Sequence, residues 1–114
     1  MRLIERQMNQ AIRYRKNFNK ANTSVRCFKT NGITTDVDVF LHGNHIASVD
    51  TATNNLTLFD GGWQSNTTKS RLNALLSEFT YNGLSLVQRN WSWFLRDNDF
   101  TNKALVPFVS GMTV

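Results

Sequence analysis

Between residues 33 and 49 the chain alternates apolar and polar side chains so regularly that β-structure is the only conformation able to use the pattern. Ile33, Thr35, Val37, Val39 and Leu41 fall on one face, and Thr34, Asp36, Asp38, Phe40 and His42 on the other. Successive strand residues point to opposite faces, so a slip of one position would turn the whole apolar set towards water. Gly43-Asn44 reads as a two-residue turn and 45–49 as the returning strand, which together predict a hairpin. A short strand over 25–29 precedes it. Another over 56–59 follows the Asn54-Asn55 turn, giving a meander of about four strands.

The flanking segments read differently. Residues 2–20 predict an amphipathic helix: Ile4, Met8 and Ile12, with Leu3, Ala11 and Phe18, form an apolar stripe, and Arg6, Arg13 and Lys20 recur every seven residues on another face. Asn22-Thr23-Ser24 ends it. After the sheet pattern breaks at Asp60-Gly61-Gly62, Ser65-Asn66-Thr67-Thr68 offers several N-caps for a second helix reaching about Phe79, with Leu72, Leu75, Leu76 and Phe79 buried. Beyond an Asn82-Gly83 turn, 84–95 predicts one alternating strand, with Val87, Trp91 and Trp93 on one face and Leu86, Asn90 and Phe94 on the other. Asp97-Asn98-Asp99 turns the chain into a last strand over 104–108, where Pro107 favours an edge. The order α-β-β-β-β-α-β-β predicts a single α+β domain spanning 1–114, an antiparallel sheet of about five to six strands with two helices packed on it.

Charge is concentrated at the start. Through Lys29 eight basic residues face one acid, Glu5, giving 8 − 1 = +7; the remainder gives 5 − 7 = −2, and the sum is the net +5. Such a field attracts phosphate-bearing partners or an acidic protein surface. The first six residues are too charged for a signal peptide, and no apolar run approaches the roughly 18 residues of a membrane span. The expected location is therefore the cytoplasm of the cell or host. The one cysteine, Cys27, sits in a strand-like segment and reads as a buried inert thiol of a reducing compartment. Sequons at Asn22, Asn66 and Asn90 carry no weight without secretion.

Which residues can do chemistry? The strongest local feature is the run from Gly61 to Arg71, a glycine pair leading into a helix start rich in hydroxyls and cations. Helix N-termini present unpaired N–H groups and a positive dipole end, so this is a phosphate-type site: Thr67 or Thr68 would donate to an oxygen and Arg71 would grip with two bonds. An ordinary capped helix with solvated Lys69 and Arg71 explains the same residues. The spacing is not that of a Walker loop. His42 and His45 have no third ligand at metal-binding spacing, and Asp36 with Asp38 fits an exposed strand face as well as an acid–base pair. No nucleophile elbow, zinc-hydrolase helix or dinucleotide motif is present, so the chain is read as a binder rather than an enzyme, without metal or cofactor. Trp63, Trp91, Trp93 and Phe94 could stack on a base, although a core or a second copy of the chain would bury them equally well.

Three stretches carry a resemblance. They are Met8, Ile12, Asn17-Phe18, Asn22-Thr23 and Val25; then Leu41-His42-Gly43-Asn44-His45-Ile46-Ala47; then Gly62-Trp63 with Thr67-Thr68-Lys69-Ser70-Arg71-Leu72-Asn73-Ala74-Leu75. Together they resemble a family of small phage proteins, the first-described anti-Thoeris proteins, over most of residues 1–79. The tail from Tyr81 onward does not match.

That resemblance implies a sponge, which sequesters a cyclic ADP-ribose isomer made by bacterial TIR-domain proteins and leaves it chemically unchanged. It implies that Arg71 with Thr67 and Thr68 holds the pyrophosphate, that Asn44 or Asn73 bonds ribose hydroxyls, and that Phe18, Trp63 or Trp91 stacks on adenine. Arg13, Arg15 and Lys16 would complete the site, across an interface if the protein is a homodimer or larger oligomer. Separate pockets for other cyclic nucleotides are also implied. Two other classes fit the residues: a nucleic-acid-binding phage protein using its first helix, and an inhibitor of a host protein such as a CRISPR effector. An enzyme that hydrolyses the messenger is the least supported.

Overall fold

A computed structural model describes residues 1–80, 83–97 and 105–114. In chain order the elements are α1 (Leu3–Arg13), β1 (Phe18–Lys20), β2 (Thr23–Thr30), β3 (Ile33–Leu41), β4 (Asn44–Asp50), β5 (Leu56–Leu58), α2 (Asn66–Phe79), β6 (Leu84–Arg89), β7 (Ser92–Asp97), β8 (Leu105–Pro107) and β9 (Met112–Thr113). They build an α+β fold with two antiparallel sheets, one of six strands in the order β1-β2-β3-β4-β5-β9 and one of three in the order β6-β7-β8. The α+β class and the two helices agree with the sequence. The division into two sheets does not follow from it.

The alternation over β3 works as predicted at its C-terminal end. Val37, Val39 and Leu41 are buried, whereas Ile33 at the strand's start is 70% exposed. The turn falls one residue earlier than Gly43-Asn44. His42 and Gly43 both adopt positive φ, 52° and 77°, as a type I′ hairpin turn requires, and Leu41 pairs with Asn44. A bulge between Val39 and Phe40 then lets consecutive residues Ile46 and Ala47 both enter the core.

The first helix is shorter than its periodicity predicts. It stops at Arg13, with Tyr14 as C-cap; the Arg15 N–H bonds the Ile12 carbonyl at 3.1 Å and the Lys16 N–H bonds the Ala11 carbonyl at 2.9 Å. That pair of bonds is a Schellman motif with Arg15, at φ 54°, in the left-handed position usually taken by glycine. Residues 18–20, predicted as helix, instead form edge strand β1 against β2. On the inner face of α1, Met8, Ala11 and Ile12 are buried as expected. Glu5 and Asn9 are buried beside them, and Leu3 is exposed.

The segment predicted as one strand over 84–95 is a hairpin. Asn90 and Trp91, at φ 49° and 67°, form its turn, and Gln88 pairs with Trp93. Trp91 is therefore 90% exposed at the tip, while Trp93 is buried in the core. The core itself is continuous across the molecule: Leu72, Leu75 and Leu76 of α2 join Val37, Val39 and Leu58 of the large sheet with Leu86, Trp93 and Leu95 of the small one. Pro107 lies on an edge strand as its missing N–H demands. Asn82 of the expected Asn82-Gly83 turn, Asn98 and Asp99 of the expected Asp97-Asn98-Asp99 turn, and the beginning of the expected last strand at 104 lie outside the described residues.

Candidate functional site

A cleft of about 430 Å³ opens where the β3–β4 hairpin meets the N-terminus of α2. The hairpin contributes Leu41, His42, Asn44 and Ile46, the loop before the helix contributes Asp60, Gly61 and Trp63, and the helix start contributes Ser65, Thr67 and Thr68. Both halves are fixed by local chemistry. Gly61, at φ 70°, lies against the hairpin so closely that a Cβ would stand 3.1 Å from Asn44 Cβ and 3.3 Å from Ile46 Cγ2, so no other residue fits without displacement. Asp60 Oδ1 accepts from the Gly62 N–H at 2.8 Å, shaping the turn that lifts Trp63 out to 74% exposure.

Ser65 is the N-cap of α2. Its Oγ accepts from the Thr68 N–H at 3.1 Å and shares a 2.9 Å hydrogen bond with Thr68 Oγ1, so Thr68, 3% exposed, is consumed in the cap. The N–H groups of Asn66 and Thr67 have no acceptor among the described residues. They remain at the positive end of a helix 14 residues long, beside the half-buried Thr67 side chain. An anion or a polarised oxygen can be held there by main-chain donors alone.

Arg71, one turn into the same helix, does not reach the cleft. Its side chain is 3% exposed and points inward: Nη1 donates to Glu5 Oε2 at 2.8 Å, Nε to Thr23 Oγ1 at 3.0 Å and Nη2 to Asn22 Oδ1 at 3.3 Å. Ser70 Oγ donates to the same Glu5 oxygen at 2.6 Å. Burial pushes the Glu5 carboxyl up, but the bonds from Ser70, Arg71 and the Arg2 N–H, with the Arg71 charge, outweigh it and hold the pKa below the usual value of 4.5. A phosphate could recruit Arg71 only by stripping Glu5 of its counter-ion in the core, which corrects its predicted role as a clamp. Its contribution is to position the cleft. Asn22 accepts from Arg71 through its side chain and, at 2.7 Å, from the His42 N–H through its carbonyl. The buried pair thus ties α1 and α2 to the hairpin turn.

The remaining predicted residues are scattered. Asn73 is committed to the small sheet, donating to the Leu86 carbonyl at 3.0 Å and accepting from the Leu86 N–H at 2.6 Å. Phe18 lies on β1, half-buried against the core. Trp91 occupies the hairpin tip. Arg13 pairs with Glu78 and covers the Phe79 ring at 5.3 Å. It lines, with Arg15, a second groove of about 750 Å³ over Val37 and Val49, while Lys16 is exposed just beyond α1. Of the eleven predicted ligand contacts, the cleft gathers Asn44, Trp63, Thr67 and Thr68. It adds His42 and Asp60, which the sequence reading did not assign to a ligand. Their only signal was adjacency to the hairpin turn and to the glycine pair.

The two histidines have separate environments. His45 sits on the outer face of the large sheet between Phe40 and Phe59, with ring centroids 5.3 and 4.5 Å away. Its Nε2 lies 2.9 Å from the Ala47 carbonyl and 2.7 Å from Ser48 Oγ, and Ser48 Oγ donates to Asp38 Oδ1 at 2.7 Å. A carbonyl can only accept, so Nε2 carries the proton, and the serine proton goes to the aspartate. This trio cannot activate Ser48 as a nucleophile, because its histidine donates where a general base must accept. Cys27 is half-buried on β2 rather than fully buried, and burial raises its thiol pKa despite Lys29 and Arg15 nearby, so the thiol form dominates. Among the described residues no three His, Cys, Asp or Glu side chains group as for a metal ion, and no helix is long and apolar enough to cross a membrane.

Fold and site together define a small two-helix, two-sheet α+β protein with a cleft between a hairpin turn and a capped helix. The chain belongs to the Kyanoviridae Gp96 protein family, a phage protein family whose model matches residues 1–114. No curated protein and no solved structure matches it.

Proposed function

We propose that this phage protein is a binding protein that captures a cyclic ADP-ribose-type nucleotide in the cleft, holds it chemically unchanged, and so silences TIR-derived Thoeris signalling in the host cytoplasm. One observation carries the reading. The two most distinctive sequence pieces, the L-H-G-N hairpin and the T-T helix start, lie far apart in the chain and meet as opposite walls of one cleft. Its volume falls within the range of small-molecule sites. The free N–H groups of Asn66 and Thr67, with the Thr67 hydroxyl, would receive the pyrophosphate. Trp63 offers a stacking face for adenine, and Asn44 and Asp60 can bond ribose hydroxyls. Binding of this kind needs no nucleophile and no metal. Trp91, exposed at its hairpin tip, is the side chain through which a homodimer or larger oligomer would form.

The test is to mix the purified protein with cyclic ADP-ribose isomers and cyclic oligonucleotides, filter off unbound ligand, denature the protein and identify what is released by mass spectrometry. Intact cyclic ADP-ribose isomer is the expected product. Trp63→Ala should weaken its capture about tenfold or more, in line with about 1–3 kcal/mol per stacked base. Release of hydrolysed nucleotide, or an empty fraction, would overturn the proposal.

A further inference from the structure

The first helix bears a surface that the cleft does not use. Glu5 is the only acid in the first 29 residues, and it is buried on Arg71, so it compensates none of the exposed charge outside. Arg13 is paired with Glu78. Arg2, Arg6, Arg15, Lys16 and Lys20 are all exposed and have no carboxylate partner among the described residues. Lys20, on edge strand β1, reaches Gln7 Oε1 at 3.1 Å, which brings its ammonium group beside the middle of α1. The cations thus follow the helix along its length and past its end.

Two further features stand at the end of this face. Tyr14, the C-cap, stands 66% exposed among Arg13, Arg15 and Lys16, and its ring packs against no other aromatic group among the described residues. Arg15 holds the left-handed C′ position, at φ 54°, where glycine costs less. The helix dipole explains a cation in the last turn, and Arg13 already supplies it. It does not explain the exposed ring.

We infer that this face of α1, with the residues just after it, binds single-stranded nucleic acid. Its cations track the phosphates and Tyr14 stacks on an unpaired base. A cationic track with an exposed aromatic ring suits a single strand, whose bases are free to stack, better than a duplex, whose bases are not. The interface is separate from the cleft and stands whether or not the cleft takes a nucleotide.

The experiment is fluorescence anisotropy with dye-labelled oligo-dT and oligo-U of 12 nucleotides, titrated over a series of salt concentrations, with phosphatidylserine-containing vesicles as a parallel arm. With about four phosphates neutralised, the logarithm of the affinity should fall against the logarithm of salt with a slope of about −3. The double variant Arg15→Gln, Lys16→Gln should make that slope shallower by about 1.4. Tyr14→Ala should weaken binding about tenfold at unchanged slope, with Tyr14→Phe restoring it. Trp63→Ala should leave oligonucleotide binding as it was, which separates this inference from the cleft. Thermal melting confirms that each variant is folded. Binding of either oligonucleotide with these responses supports the inference, and the better-bound sugar identifies the strand. No binding to either at low salt, vesicle binding that oligonucleotide does not displace, or insensitivity to all three substitutions would overturn it.

Discussion

At the scale of single residues, the Glu5–Arg71 pair governs most of what the site can do. Both side chains are 3% exposed, and the pair is hydrogen-bonded on every side by Ser70, Thr23 and Asn22. Removing one member of such a pair leaves the other charged and buried, a loss of about 3–5 kcal/mol out of a typical total of about 5–15. Arg71→Met should therefore lower the melting temperature sharply before it says anything about ligand. The same pair gives the pH dependence. Because the folded-state pKa of Glu5 lies below 4.5, the unfolded chain takes up the proton first as the solution is acidified. Its stabilisation is fully present above that value, shrinks below it, and is gone once the pH passes the depressed folded-state pKa. Urea titrations from pH 7 down to pH 3 should show this decline in the native protein and a weaker one in Glu5→Gln, whose starting stability is already lower. A parallel decline in both would remove Glu5 as its source. None of this is legible in the sequence, where Arg71 looks like a surface cation next to a helix start. Its partner lies 66 positions away, and only the fold brings the two together.

At the scale of elements, the residues in left-handed turn positions set where helices and strands end. The hairpin of β3 and β4 was legible because apolar alternation and a glycine coincide there, and the error of one residue in the turn reflects His42 accepting the left-handed position that Asn44 was expected to share. Elsewhere left-handed positions are held by residues that give no signal. Arg15 ends α1 without glycine, and so hid β1. Asn90-Trp91 closes a hairpin without glycine, and so made β6 and β7 look like a single strand. A non-glycine residue in this region costs on the order of 1 kcal/mol. Trp91 repays none of that through packing at 90% exposure. Trp91→Gly should accordingly stabilise the monomer by up to about 1 kcal/mol, since Asn-Gly is the preferred type I′ pair. Calorimetry would show a higher melting temperature, and light scattering would show a smaller assembly if the tip is the oligomer contact. A lower melting temperature would mean that the indole is packed after all.

At the scale of the whole molecule, the two sheets share one core. The six-stranded sheet receives α1 and α2 on its inner face, and the three-stranded sheet reaches the same core through Leu86, Trp93 and Leu95. The amide of Asn73 ties α2 to the small sheet, since it makes both of its bonds to the backbone of Leu86. The resemblance offers Asn73, as an alternative to Asn44, for the ribose hydroxyls, and a side chain spent on a strand that begins eleven residues later leaves no local trace in the sequence. The cleft lies wholly on the other side of α2, between that helix and the β3–β4 hairpin. Loosening the small sheet should therefore leave the cleft standing. Asn73→Ala strands the N–H and carbonyl of Leu86 without their partners, at a cost of about 1–3 kcal/mol. Hydrogen exchange should then accelerate across β6 and β7, while β3, β4 and the first turns of α2 keep their protection and Trp63-dependent capture of nucleotide persists. Uniform loss of protection would show instead that the two sheets open as one cooperative unit, with the shared leucine core outweighing the amide.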